Sequence, residues 1–408
     1  MKTLKDLNVE NKKVLIRCDF NVPLKEGKIV DDTRIVGALP TINYCLERGA
    51  KVVLFSHLGR VKEEADLEKN NLAPVAVRLS ELLEKEVKFI NKTRGEELEN
   101  AVNNMQSGDV ILVQNTRYED LNDKKESKND EELGAYCASH GDVFVNDAFG
   151  TIHRAHASNC GIASHLPSAF GFLIEKELTA LSLLDNPPHP FVVVLGGAKV
   201  ADKIGVIENL VTKADHILIG GGMAFTFLKA NGIEIGKSLL DEENVEFCKN
   251  ILANYKDKIV LPVDTAVTNE YTNDEEYRVK SINEITEDEM GLDIGPATKD
   301  LFANYLKDAS VAVWNGPLGV YEFSKYKKHT DELLEFIVKN NVRAILGGGD
   351  IVAAASTAGY KNEVYHASTG GGATLEYLER KTLPGIEAIK YKVGDLIEYR
   401  KIFHSRSI

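Results

Sequence analysis

Short apolar runs alternate with longer stretches of helical spacing along the whole chain. In the first half the apolar runs are Leu15 to Phe20, Val52 to Ser56, Val110 to Gln114 and Val143 to Asn146, and all read as strands. Helical spacing covers Arg34 to Arg48 and Asn71 to Glu84 between them. In the second half the strand pattern falls on Phe191 to Leu195, His216 to Gly220, Ile259 to Pro262, Val311 to Trp314, Ala344 to Leu346 and Val364 to Ala367. Apolar strands separated by helices predict parallel sheets with both faces covered, an α/β architecture. A helix over Ile174 to Leu184 is followed by a proline-rich stretch holding Pro187, Pro188 and Pro190, which marks the domain boundary. The division expected is residues 1–173, a connecting helix and hinge at 174–190, residues 191–384, and a C-terminal segment at 385–408.

The two halves end their strands differently. The first half ends them in Arg17-Cys18-Asp19-Phe20-Asn21, His57-Leu58-Gly59-Arg60, Asn115-Thr116-Arg117 and Asn146-Asp147. The second ends them in Gly196-Gly197-Ala198-Lys199, Gly220-Gly221-Gly222, Gly347-Gly348-Gly349-Asp350 and Gly370-Gly371-Gly372. Ligands of doubly wound sheets bind outside the carboxyl ends of the strands. The asymmetry therefore predicts a small polar anion on the first half. It predicts a nucleotide, approached by bare backbone, on the second.

Composition narrows the classes. The 408 residues carry 49 Lys and Arg against 62 Asp and Glu, a formal charge of −13. That balance disfavours a nucleic-acid binder and requires an anion-binding enzyme to gather its cations in one place. No run approaches the ~18 apolar residues of a membrane span. The first residues carry no secretory pattern. The five cysteines are scattered without a C-x-x-C pair, which fits a reducing cytoplasm and neither a disulfide scaffold nor a zinc site.

Arg17, Asp19 and Asn21 are spaced by two, so on an extended strand they share a face. They grip either a hydroxyl and a carboxylate or one another. Arg34, Arg60, Arg117 and Arg154 each lie in or beside a strand-end loop, and guanidinium forks suit carboxylate and phosphate. His57, His153 and His156 have metal-like spacing. No cysteine or further histidine completes a set, and Arg154 repels a cation, so anion binding or packing is the reading. Glycine turns before helical runs present backbone N–H groups to phosphate. Lys199 and Lys203, four apart, point the same way if they open a helix. Gly232 to Ser238 imitates a P-loop but is one residue short, and no G-x-G-x-x-G follows a strand.

Taken in order, several stretches resemble the phosphoglycerate kinase family nearly end to end. They include Arg17-Cys-Asp-Phe-Asn-Val-Pro23, His57-Leu-Gly-Arg60, Asn146 to Ser158, Gly196-Gly-Ala-Lys-Val-Ala-Asp-Lys203, Asp293-Ile-Gly-Pro296, Trp314 to Val320, Gly347-Gly-Gly-Asp350 and Ser368 to Ala373. The resemblance implies two doubly wound, Rossmann-like parallel-sheet domains joined by a helix, with an inter-domain cleft. It implies reversible Mg²⁺-dependent phosphoryl transfer between 1,3-bisphosphoglycerate with ADP and 3-phosphoglycerate with ATP, by a cytoplasmic monomer whose hinge closes.

By the same resemblance, Asp19, Asn21, Arg34, His57, Arg60, Arg117 and Arg154 bind phosphoglycerate. Gly197, Lys203, Gly221, Gly291, Asn315, Pro317 and Glu322 fall at nucleotide positions, as do Gly348, Gly349, Asp350 and Ile351. Asp350 is also the metal ligand. Arg34, Lys199, Lys203 and the N–H groups near Gly371 and Gly372 share the charge of the transferring group. The C-terminal segment is expected to return to the first domain. Ile351 departs from the Ser or Thr usual there, which predicts nucleotide binding weaker by about 1 kcal/mol, the scale of one hydrogen bond. Gln114 and Tyr118 replace the more usual Glu and Phe and read as packing changes. The chain beyond Gly385 is longer than is usual and basic. The rivals are a dinucleotide-dependent dehydrogenase, which lacks its fingerprint here, and a non-catalytic nucleotide binder, which would not need both Arg34 and Lys203.

Overall fold

A computed structural model describes residues 1–274, 276–380 and 383–390. The chain divides into two units. Unit 1 runs from Met1 to Leu178 and takes in residues 383–390; unit 2 runs from Thr179 to Arg380. The division falls inside the helix Phe172–Leu181, not in the proline run after it. The first turns of that helix belong to unit 1 for a packing reason: the Phe172 ring meets Tyr44 edge-on at 5.2 Å.

Unit 1 holds strands β1 (Lys13–Arg17), β2 (Leu24–Lys25), β3 (Lys28–Ile29), β4 (Lys51–Phe55), β5 (Val87–Ile90), β6 (Val110–Val113), β7 (Val143–Asn146) and β8 (Ser168–Phe170). Six of them form one parallel sheet in the order β5-β6-β4-β1-β7-β8. Their apolar runs are buried almost throughout, because helices such as Thr33–Leu46 and Ala73–Leu83 cover the sheet. β2 and β3 form a two-stranded hairpin whose turn residues Glu26 and Gly27 have φ of 51° and 73°.

Unit 2 holds β9 (Phe191–Leu195), β10 (His216–Ile219), β11 (Ile259–Val260), β12 (Asp264–Thr268), β13 (Arg278–Ser281), β14 (Met290–Ile294), β15 (Val311–Asn315), β16 (Ala344–Leu346) and β17 (His366–Ala367). Its main sheet is again parallel, in the order β11-β10-β9-β15-β16-β17. A separate antiparallel sheet, β13-β12-β14, was not expected from the apolar pattern. In both main sheets the first strand of the unit lies in the middle, beside a strand from later in the chain (β7 or β15). That is the topological switch point, where a crevice opens at the carboxyl ends.

Ten of the twelve main-sheet strands lie within a few residues of the runs read from sequence, while β5 and β8 were not read, and one further difference matters. β1 stops at Arg17 rather than running to Phe20, because the backbone leaves the ladder there: the Phe20 N–H donates to the Ser56 hydroxyl instead of a neighbouring strand (2.8 Å). Arg17, Asp19 and Asn21 therefore do not line one strand face. Residues 384–390 form a short helix, Pro384–Lys390, which lies against unit 1: the Gly385 N–H donates to the Ile152 carbonyl at 2.8 Å. The expected basic extension at 391–408 lies outside the described residues.

Candidate active site

In unit 1 the loop after β1 carries Asp19 and Asn21. The Asp19 carboxylate accepts from Arg34, at the start of the helix Thr33–Leu46, with Nη1 to Oδ2 at 2.5 Å. Arg34 keeps 42% of its side chain exposed, so its remaining donors face outward. Asp19 needs room for this: a Cβ on Gly150 would stand 2.4 Å from its Oδ2. The Asn21 side chain accepts from the Gly59 N–H at 2.8 Å, tying the β1 loop to the β4 loop. Asn115, after β6, does the same for the next pair, accepting from the N–H groups of Leu58 (3.1 Å) and Arg117 (3.0 Å). The result is a set of loops cross-stitched by amide side chains, which fixes the cations they carry.

His57 is buried, and desolvation pushes its pKa down to about 3, with nearby Arg17, Arg117 and Arg34 adding to the effect against Asp19. It is therefore a neutral ring. The Arg117 guanidinium is held by Asp120 at 2.7 Å and by Ser127, while its Nε is buried without a partner. Arg154 is half-buried, with Nε 3.2 Å from His153 Nε2. Arg60 is exposed and makes no ion pair among the described residues. Arg17 is different: it has no exposure, and it supports the cluster from beneath. Burial keeps His153 and His156 neutral as well, with pKa values lowered to about 4 and about 2. Among the described residues no group of three His, Cys, Asp or Glu side chains is placed to hold a metal ion.

In unit 2 a cavity of about 540 Å³ opens at the carboxyl ends of β9, β10 and β15. Gly197, Gly221, Gly291, Pro317, Glu322 and Asp350 all line it, bringing six of the predicted nucleotide residues to one place. The glycines are required where backbones touch. A Cβ on Gly221, at φ 64°, would stand 2.6 Å from the Gly197 nitrogen, and one on Gly291 would strike the Phe225 ring at 2.1 Å. Three helices open directly from glycine turns: Met223–Ala230, Gly349–Thr357 and Gly372–Arg380. The first N–H groups of the latter two lack intrahelical partners and suit anionic oxygen, whereas the Met223 N–H already donates to the Gly197 carbonyl at 3.1 Å. Asn315, at the end of β15, donates to the Gly347 carbonyl, and its Oδ1 is buried without a partner. Gly371 sits at φ 51° with open space around it.

The structure bears on two expectations here. Ile351 points into the core of unit 2, with no exposure, among residues such as Trp314 and Leu346. The side chain at 351 is not among those that line the cavity. Lys199 and Lys203 do not share a helical face, since Lys199 is extended and Val200–Lys203 is a 3-10 turn. Lys203 is half-buried, and desolvation lowers its pKa although Asp202, Asp350 and Glu379 pull it back up. Lys199 is exposed. Sequence reading missed Lys237, Tyr271 and Asp293 on the cavity wall. It gave no role to Asn115, Asp120, Glu126 and Ser158 beneath the unit 1 cluster, although Asn115 was read as a strand-end residue and Ser158 closed a matched stretch. Lys237 lay within the P-loop imitation and Asp293 within a matched stretch, so a signal existed for those two as well.

Residues 4–381 match the model of the phosphoglycerate kinase family. The chain belongs to this family. It is 58% identical over 393 residues to phosphoglycerate kinase of Listeria innocua, covering 96% of this chain and 99% of that one. The Enterococcus faecalis protein of the same name is 57% identical over 394 residues, with the same coverage. Among solved structures, phosphoglycerate kinase from Coxiella burnetii superposes with a TM-score of 0.88 at 40% identity, covering 95% of this chain and 98% of that one. The Pyrococcus horikoshii enzyme gives 0.81 at 33% identity, covering 96% and 98%. Membership makes the chain a phosphotransferase with a carboxyl acceptor that uses ATP and ADP. No helix among the described residues is long and apolar enough to cross a membrane.

Proposed function

We propose that the chain moves a phosphoryl group reversibly between 1,3-bisphosphoglycerate with ADP and 3-phosphoglycerate with ATP, and that unit 1 binds the phosphoglycerate and unit 2 the nucleotide. The observation that carries this reading is the contrast between a cluster of fixed cations on unit 1 and a glycine-walled cavity on unit 2. The acceptor carboxylate is already ionised at neutral pH, so the reaction needs no general base. Catalysis is then positioning and charge stabilisation.

Arg34 is the residue assigned to the transferring group, because its outward donors are held by Asp19 without being used up. Arg60, Arg117, Arg154 and His57 hold the phosphoglycerate, with Asp19 and Asn21 facing its hydroxyl. Lys203, the less solvated of the two lysines, takes a phosphate oxygen, with Lys199 beside it. N–H groups at Gly371, Gly372, Gly349 and Ile351 receive further oxygens. Glu322, exposed on the cavity rim, accepts from ribose hydroxyls. Asp350 is the group for Mg²⁺. A single exposed carboxylate beside a phosphate site fits this ion, which takes few protein ligands and fills its octahedral shell with water and phosphate oxygen. When bound, Mg²⁺ would supply charge neutralisation on the nucleotide phosphates. Transfer between ligands on separate units requires them to close until the reacting atoms are about 3–3.5 Å apart.

The test is ATP consumption with 3-phosphoglycerate and Mg²⁺, drawing the acyl phosphate away with a coupled reductase. The wild type should turn over, and Arg34→Ala should lose roughly 10²–10³-fold in kcat, the scale of one preorganised donor. A folded wild type without turnover would contradict the reading.

A further inference from the structure

Beneath the unit 1 cluster lies a buried chain of polar groups that the proposed reaction does not use. Glu126 is 1% exposed, although it sits in the charged run Lys124-Lys125-Glu126-Ser127-Lys128. One of its carboxylate oxygens accepts from the Ser158 hydroxyl and the other from the Ser158 N–H at 3.0 Å. The same hydroxyl accepts from Arg17 Nε at 2.7 Å. Among the described residues Arg17 makes no ion pair with a carboxylate; its Nη1 donates to the Cys18 carbonyl. Its third, Nη2, lies 3.4 Å from His57 Nδ1.

The direction of these bonds is forced. A guanidinium only donates, so His57 Nδ1 must accept, and the ring proton is then on Nε2. The ring is neutral, since burial and the surrounding Arg17, Arg117 and Arg34 outweigh Asp19. His156 stands 3.7 Å from Glu126 but is neutral too, so it does not compete as counter-ion. Arg117 has its own carboxylate in Asp120. Glu126 is therefore the counter-charge left for Arg17, and burial, which pushes its carboxyl up, is opposed first by that guanidinium. The void beside Glu126 and Ser158 is only about 10 Å³, room for no more than one water, so the groups cannot swing away.

We propose that Glu126 and Ser158 are positioning residues that act through Arg17 to hold His57 as a fixed donor, with Nε2–H presented to the anionic substrate. This rests on reading the unit 1 cluster as the phosphoglycerate site. A neutral donor adds a directed hydrogen bond without adding charge. The relay turns a buried cation and a buried anion into control of one histidine tautomer.

The test uses the full-length protein labelled with ¹⁵N and long-range proton–nitrogen NMR at neutral pH. Wild-type His57 should show the Nε2–H tautomer. Glu126→Gln and Ser158→Ala should shift the population toward Nδ1–H. Ser158→Ala keeps both charges and carries the test should Glu126→Gln fail to fold. In kinetics, each variant should raise KM for 3-phosphoglycerate about tenfold while KM for ATP stays within twofold. Adding Glu126→Gln to His57→Gln should raise that KM no further. An Nδ1–H tautomer in the wild type would overturn the proposal. So would an equal KM increment in the wild-type and His57→Gln backgrounds. A folded wild type with no turnover would instead defeat the phosphoglycerate reading, and the NMR result would still decide whether the relay sets the tautomer.

Discussion

In unit 1 the first strand of the parallel sheet, β1, runs out into Cys18-Asp19-Phe20-Asn21. In unit 2 the corresponding first strand, β9, runs out into Gly196-Gly197-Ala198-Lys199. The sheets are built on the same principle and both crevices open at a switch point, so the difference lies in what the loops carry. Unit 1 spends its loops on charged side chains that are stitched together and supported from below. Unit 2 clears side chains away so that backbones meet at distances a Cβ would forbid. A small, highly charged ligand needs few but rigid cations, and a nucleotide needs a long shelf of N–H groups. One architecture supplies both by changing the residues at its strand ends.

The largest break in this comparison should come from adding a side chain to unit 2. Gly221→Ala places a methyl 2.6 Å from the Gly197 nitrogen at φ 64°. Strain and overpacking together should cost about 3–5 kcal/mol. Denaturant unfolding should show it, and any folded fraction should have a raised KM for ATP with KM for 3-phosphoglycerate unchanged.

Next comes a buried charge of unit 1. Asp147, just past β7, accepts from the Leu173 N–H at 2.9 Å at the start of the helix Phe172–Leu181. Burial raises its pKa from 3.8 to about 6. The folded state thus binds its proton more tightly than the unfolded state, so this group adds stability at low pH and loses it as pH rises through about 6. The gap of about 2 units corresponds to about 3 kcal/mol. Unfolding curves of wild type and Asp147→Asn should diverge in favour of the wild type as pH falls from 7 to 4; parallel curves would refute the assignment.

The smallest effect concerns Ile351. With its side chain in the core, Ile351→Thr should cost about 1–3 kcal/mol of stability by burying a hydroxyl. It should leave ADP affinity unchanged. A tighter ADP complex would mean that the side chain reaches the cavity after all.

Much of this was legible in the chain. Ten of the twelve main-sheet strands were found to within a few residues, because apolar runs covered on both faces stand out; the edge strands β5, interrupted by Lys88, and β8, three residues long, were not. The loops at those ends, with Arg34, His57 and Arg117 on one side and the glycine turns on the other, could be read for the same reason. β12, β13 and β14 were missed because they are mixed in polarity, as in Asp264–Thr268, and pair only with one another. Glu126 was missed because a carboxylate among lysines looks like solvated surface, and only the tertiary placement of Ser158 and Arg17 buries it. The burial of Ile351 was not legible because sequence gives a residue's neighbours along the chain but not which way a helix turns it.

The most direct test of the comparison is calorimetric titration of 3-phosphoglycerate and of ADP, separately, into Arg60→Ala. Arg60 is exposed and makes no ion pair among the described residues, so its removal should disturb nothing but its ligand. Loss of one charged hydrogen-bonding group, worth about 1.5–3 kcal/mol, should weaken 3-phosphoglycerate by roughly 10–100-fold and leave ADP unchanged. Equal loss for both ligands, or loss for ADP alone, would contradict the assignment of the charged strand ends to one substrate and the glycine ends to the other.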